Sequence, residues 1–415
     1  MSIVSLFCFS VCLLIFFLCI RKGVDIFSPA RVFGFIWAFT IGITDLKFSR
    51  LQNEWPIYVW GVLLISILFF LLGIFVVYVS SMYSRKFSVD QIRKKIKSQI
   101  VQENRLFLSI VILVFAYIVS LSVEVISFGN FPLFDASPDR ARIEFGLFGI
   151  HLFVGAMPLI LLLIIEYFLF VKNYLVKKII LVLFFAIVFG SYFFLLVRFS
   201  YVVFICTSIC VVYYTSKLLN IKNTTIVTII FFFLFAYLLE FREAKYAEHF
   251  IYIISDLKFS ETYAAFAGPY MYIAMNLENL ANVIVKLDYF TFCYYTFDFL
   301  FALTGLKHWL ANYYGLIERI YSTGGFNTYP FFYPYYRDFG LLGITIGTFL
   351  LGALINTVYI WMKYTASIHA IILYACLNFV LLISFFTNPL TMLNYIFMIS
   401  MLLIIHWFVF RPSRI

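Results

Sequence analysis

A chain of 415 residues that is 64% hydrophobic and only 12% charged cannot clothe a soluble surface, where about a quarter of residues usually carry charge. A mean hydropathy of +1.01 makes the lipid bilayer the solvent. The formal net charge of +10 does not signal a nucleic-acid binder, because the basic residues gather in connections between apolar runs.

A helix needs roughly 20 apolar residues to cross a hydrocarbon core of about 30 Å. Eleven runs meet that need: about 3–20, 29–46, 57–79, 106–127, 149–171, 179–197, 200–216, 225–241, 340–362, 368–387 and 391–410. The first is expected to be a retained span and not a cleaved signal. It lacks a basic start and a small-residue cleavage site, and Arg21-Lys22 closes it directly. The second opens on Ser28-Pro29, an N-cap residue followed by proline at the first helical position. The chain therefore reads as an all-α polytopic integral membrane protein, a single transmembrane domain over 1–415 with about 11 helices (11–13). The seven cysteines show no CxxC spacing and lie mostly in apolar stretches, which argues against a disulfide framework or a zinc site.

Lysine and arginine in the connections set the expected orientation. The 81–105 loop holds Arg85, Lys86, Arg93, Lys94, Lys95, Lys97 and Arg105 against Asp90 and Glu103, so it is the main cytoplasmic loop. Alternation then places 21–31, 172–178, 217–223, Lys363, Arg411 and Arg414 inside as well, with the N-terminus outside and the C-terminus inside. The external loops are 128–147 and 242–338. Within the second, 289–306 is apolar but carries Asp298, a costly residue at mid-bilayer. It reads as an interfacial or re-entrant helix, with 13 spans as the alternative.

The informative polar residues collect on the expected outer side. Asp45, Glu124, Arg198 and Glu240 each end an apolar run there. Arg140, Arg142 and Glu144 fill the 128–147 loop, and Arg242, Glu243, Lys245, Glu248 and His249 begin the long segment. Its far end, GGFNTYPFFYPYYRDFG at 324–340, closes on Arg337-Asp338. The remainder is Tyr, Phe, Asn and Trp. Such a surface suits sugars, whose C–H faces pack on rings while amides and hydroxyls bond the sugar hydroxyls. An interfacial aromatic belt is the bland alternative.

Four stretches carry a resemblance: SPARVFGFIW at 28–37, LLVRFSY at 195–201, GPYMYIAMNLENL at 268–280 and NTYPFFYPYYRDFGLLGITIGTFLLGALI at 327–355. Together with the span plan they make the chain similar to the bacterial O-antigen polymerase family, the Wzy-type oligosaccharide repeat-unit polymerases. Relatives are commonly drawn with twelve or more spans, and the difference falls on 289–306. The resemblance implies a GT-C-like bundle in the bacterial inner membrane with its active site facing the periplasm. It implies transfer of a growing glycan from undecaprenyl diphosphate to a hydroxyl of the next lipid-linked unit, an inverting glycosyl transfer without metal or cofactor. A chain-length regulator is an implied partner.

The chemistry sorts the candidates. A lipid diphosphate leaves as a stable anion, so cationic stabilisation matters more than a general acid, and arginine supplies a fixed fork for phosphate. Arg198 is the leading catalytic candidate, since it is the only charge between two apolar helices; snorkelling to the headgroups is the alternative. Asp338 and Glu240 are the other catalytic candidates, with Glu243 and His308 also open as the base. Asp338 as the N-cap of a helix starting at Phe339, or as a simple ion pair with Arg337, is the competing reading. Arg142, Arg140, Arg242, Tyr272, Asn276, Asn327, Thr328, Tyr329, Tyr336 and Arg337 are assigned to substrate. His151, His369 and His406 lie in or near spans and read as packed or hydrogen-bonded, Cys206 and Cys210 as packing residues. An O-antigen ligase is the closest competitor and a lipid-linked oligosaccharide flippase the competitor from another class. The ligase expectation is a strong histidine in the late external loop, and the flippase expectation is internal symmetry. Neither is visible.

Overall fold

The computed structural model describes residues 2–21, 23–97, 99, 101–172, 174–219, 247–307, 309, 320 and 325–410, with only the backbone described at 247–250. The described residues form helices and turns, and the chain is an all-α, multi-pass membrane protein. Eight described helices are long and apolar enough to cross a membrane, and two shorter apolar ones, Pro29–Thr44 and Ile368–Leu382, fall on predicted runs. The predicted span at 225–241 lies outside the described residues. The chain divides into two compact units.

The first unit comprises Met1–Ser88, Leu219–Tyr364 and Val380–Met392. It begins with α1 (Ile3–Ile20), α2 (Pro29–Thr44) and α3 (Ile57–Ser80). Ser28 stands at the N-cap of α2 with Pro29 behind it, as the sequence predicts, although its hydroxyl accepts from Arg31 Nη1 at 3.1 Å and not from the helix backbone. Asp45, just past α2, takes the Ser5 hydroxyl at 2.7 Å and the Ser5 amide at 3.1 Å. A carboxylate is thereby placed against the positive start of α1, which offsets its unpaired amides. A core of rings fills the unit. Phe33 stacks on Phe70 with centroids 4.0 Å apart, and Trp37 stacks on Phe332 at 4.5 Å. Trp37 Nε1 donates to Ser384 Oγ at 2.9 Å, so the buried indole keeps its one polar group satisfied.

The second unit comprises Val89–Leu218, Thr365–Phe379 and Leu393–Ile415. It contains α4 (Val89–Ile96), α5 (Glu103–Phe128), α6 (Pro138–Glu144), α7 (His151–Val154), α8 (Met157–Phe170), α9 (Leu175–Phe193) and α10 (Arg198–Thr215). The short α4 buries Val89, Ile92 and Ile96 and anchors itself through Arg93, which donates to the Tyr213 carbonyl at 2.7 and 2.9 Å. α8 buries ten of its fourteen residues, Glu166 included. That carboxylate lies 3.1 Å from His406 Nε2, so a charge that lipid would not tolerate has a partner.

The first unit continues with α11 (Ala247–Ser255), α12 (Ala264–Lys286), α13 (Asp298–Thr304) and α14 (Tyr333–Thr365). The chain closes with α15 (Ile368–Leu382) and α16 (Leu393–Phe410). The 289–306 stretch forms no single helix. It turns through Phe292 and Cys293, both at positive φ, before the seven-residue α13. Its Asp298 is neutralised by Lys307 at 2.5 Å. The long helix predicted at 340–362 begins earlier, at Tyr333, because Pro334 sits at its start, where a missing amide costs nothing.

α3 and α14 meet backbone to backbone. A Cβ at Gly73 would collide with the Phe349 carbonyl, and one at Gly352 with that of Phe70. Asn356 Nδ2 completes the seam on the Ile74 carbonyl at 2.7 Å. Small residues and a buried amide are how helices adhere where lipid removes the hydrophobic drive.

Candidate functional site

The polar centre of the first unit is built on the opening turns of α14. Tyr333 to Phe339 are helical, and Gly340, at φ 59° and ψ −139°, then breaks the rod. Only glycine takes that backbone readily, and its missing Cβ leaves room for the Phe290 ring, which would otherwise approach to 2.7 Å. The turn ahead of the break carries Arg337 and Asp338. Arg337 is 3% exposed. Its Nη1 donates to the Tyr289 carbonyl at 3.0 Å, and its guanidinium lies 4.8 Å over the Tyr289 ring. No carboxylate among the described residues pairs with it. A buried cation held only by a carbonyl and a ring is under-compensated, since the effective desolvation penalty is several kcal/mol per ion and a cation–π contact returns about 0.5–2 kcal/mol.

Asp338 points elsewhere. Its Oδ1 accepts from Thr291 Oγ1 at 2.6 Å and the Tyr295 amide at 3.2 Å, and its Oδ2 from the Thr296 amide at 2.6 Å. It is fully buried. The readings as a helix N-cap at Phe339 and as an ion pair with Arg337 are both replaced. Asp338 lies within a helix that starts five residues before it, and its carboxylate is the staple that folds the 291–296 turn.

Amides and rings extend this centre. Asn279 of α12 donates to the carbonyls of Phe326 and Thr328 at 2.8 and 2.9 Å. Thr328 donates its hydroxyl to Asn276 Oδ1. Tyr329 stacks on Tyr333 with centroids 4.0 Å apart and an interplanar angle of 13°. Tyr333 meets Tyr295 edge-on at 5.2 Å, which closes the chain of contacts back to the Asp338 staple. Tyr272 packs edge-on against Phe326. So Tyr272, Asn276, Thr328, Tyr329, Arg337 and Asp338 belong to one connected network, whereas Asn327 is exposed and Tyr336 half-buried beside it.

The same helix carries a carboxylate that the sequence reading passed over. Glu278 is 1% exposed. Its Oε2 accepts from Trp55 Nε1 at 3.0 Å and the Asn53 amide at 3.4 Å, while Oε1 has no hydrogen-bond partner among the described residues. Burial raises its pKa above the ordinary carboxylate value, opposed by those donors and by Lys47.

The polar centre of the second unit is looser. Arg198 opens α10 after the 194–197 turn, in which Leu196 adopts φ 57°, and it is partly exposed. The 129–150 connection leans on that turn, the Leu133 amide donating to the Phe194 carbonyl at 3.1 Å. Arg142 is partly buried in α6, and Arg140 is exposed and paired with Glu144 at 2.8 Å. Close by, Glu124 of α5 is fully buried and lies 3.1 Å from His151 Nδ1 through either oxygen, with its Oε1 also accepting the Leu147 amide at 3.0 Å. His151 reads from sequence as packed or hydrogen-bonded. The bond is there, but its partner lies in another span, 27 residues away, and no short-range pattern announces the pair.

Glu240, Arg242, Glu243, Lys245 and His308 lie outside the described residues. No described cluster of three His, Cys, Asp or Glu side chains is placed to hold a metal ion. No family model, curated protein or solved structure matches the chain.

Proposed function

We propose that the chain is a polymerase that joins undecaprenyl-diphosphate-linked oligosaccharide repeat units into O-antigen or capsular-type polysaccharide. In this reading it is a GT-C-like enzyme at the outer face of the bacterial inner membrane, with a periplasmic N-terminus and a cytoplasmic C-terminus. The reaction is an inverting, metal-independent glycosyl transfer.

The observation that carries the reading is Arg337, a buried guanidinium facing a carbonyl and a ring and no described carboxylate. A diphosphate oxygen pair would supply the missing anion in a bidentate contact, the geometry that suits arginine best. The charge that develops on the departing oxygen would be met by a donor already fixed in place. The Tyr329–Tyr333 stack and the Asn276 and Asn279 amides beside it offer flat apolar faces and hydrogen-bonding edges, the pairing that a sugar needs. Both substrates of such a polymerase carry a diphosphate, and the partly exposed Arg198 and Arg142 of the second unit suit another anion.

Deleting the gene and resolving the surface glycan on a gel tests this most directly. Single repeat units in place of long chains support a polymerase. Loss of all capped lipid would mean a ligase, and lipid-linked units trapped in the cytoplasm a flippase.

A further inference from the structure

The Glu124–His151 pair is more than a structural tie. Glu124 is fully buried, and its two oxygens are occupied by His151 Nδ1 and the Leu147 amide. A carboxylate accepts and does not donate, so an imidazole tied to it through Nδ1 would leave Nε2 as the nitrogen that can take a proton. That nitrogen has no partner among the described residues, and the side chain is 29% exposed. Backbone geometry makes room for the ring. Gly146 adopts φ 127°, and a Cβ there would lie 2.9 Å from His151 Nδ1. The other buried carboxylate–histidine pair of this unit is different. His406 is 2% exposed and boxed in by the His369 and Phe410 rings, and it turns its Nε2 to Glu166. One pair is sealed; the other holds one ring edge in the protein and offers the opposite edge outward.

We infer that His151 is the general base of the glycosyl transfer, with Glu124 as its positioning residue; this rests on the polymerase reading above. The surroundings agree with that role. The Leu147 amide that binds Glu124 belongs to the connection that carries Arg142, and the same connection rests on the turn preceding Arg198. Base and arginines therefore lie along one connection of the second unit and the turn that it touches. In the step, the acceptor sugar hydroxyl gives its proton to His151 Nε2 while its oxygen bonds to the anomeric carbon of the donor. The anomeric C–O bond to the lipid diphosphate breaks, and its electron pair leaves on the diphosphate oxygen. The Nδ1 proton stays on the ring, hydrogen-bonded to Glu124, whose carboxylate stabilises the imidazolium until the Nε2 proton is released to water. Such a base contributes about 10²–10⁴-fold.

The test uses the full-length chain in membrane vesicles that contain the host's own lipid-linked repeat units, with polymer read on a gel. His151→Gln keeps a donor to Glu124 but has no basic nitrogen, so it separates the tie from the base. The expected result is normal insertion with turnover reduced about 10²–10⁴-fold. Imidazole added to His151→Gly vesicles should restore part of the polymer. Glu124→Gln should reduce turnover less and, by nitrogen NMR of labelled histidine, shift His151 away from its single Nδ1–H tautomer. Wild-type polymer from His151→Gln overturns the inference, as does a well-inserted His151→Gly that imidazole does not revive. Arg337→Ala distinguishes the two levels. If it abolishes polymer while His151→Gln does not, the polymerase reading stands and the base is elsewhere; if gene deletion leaves long chains, the reading itself fails.

Discussion

The two units use similar residue types in opposite ways. In the first, polar groups are buried and fixed: Asp338 takes three donors, Asn279 bridges two carbonyls, and Arg337, short of a counter-charge, is held against one residue, Tyr289. In the second, Arg198 and Arg142 are only partly buried, one at the start of α10 and the other in the last turn of the short α6, and the His151 side chain is 29% exposed. Burial preorganises a donor and strengthens its field, at a large desolvation cost. Partial exposure lowers that cost and keeps a group within reach of water.

This contrast can be broken by substitution, beginning with the largest effect. Arg337→Ala should abolish long glycan chains. Arg337→Lys should restore little, because an ammonium lacks the planar fork, and the gel should still show mostly single units. Asp338→Ala releases the 291–296 turn and should cost about 2–4 kcal/mol, the range for unpairing buried donors and emptying a packed site. Limited proteolysis in detergent would reveal it as new cleavage near Thr291 to Thr296. Gly352→Val overpacks the seam with α3 and should cost about 1–3 kcal/mol, measured as a lower Tm. Glu278 gives a pH signature. Its folded pKa is raised, so its contribution is fully present below the ordinary carboxylate value and is lost as pH rises through the folded pKa. Glu278→Gln should therefore flatten the fall in Tm from acid to neutral pH. Arg140→Ala, which removes an exposed pair with Glu144, should leave chain length unchanged.

Much of the fold was legible because spans are a matter of length and hydropathy. Wherever a predicted run falls on described residues, a helix lies there. Helix starts were read less well. The Ser28-Pro29 signal worked, but Asp338 looked like an N-cap only because Tyr333 to Arg337 were not recognised as already helical. The 289–306 stretch resembled a span by composition, and what folds it into a turn is a carboxylate more than forty residues downstream. In the candidate site, the tyrosines, amides and arginine of 327–337 were visible as a dense motif. Glu278 was not, because its partners, Asn53 and Trp55, come from another connection more than 220 residues earlier in the chain. The Glu124–His151 pair was hidden for the same reason: pairing across spans leaves no periodic trace.

The break at Gly340 has a mechanical consequence. A long membrane helix answers changes in bilayer thickness by tilting, and an unbroken rod would sweep any residue near its tip through an arc. Here the tip is tethered to the 291–296 turn through Asp338 and folds back on the shaft beyond Gly340, so closely that a Cβ at Gly343 would collide with the Tyr335 carbonyl. The segment that carries Arg337 is thus clamped between its own shaft and that turn, a mount that resists bending at the break.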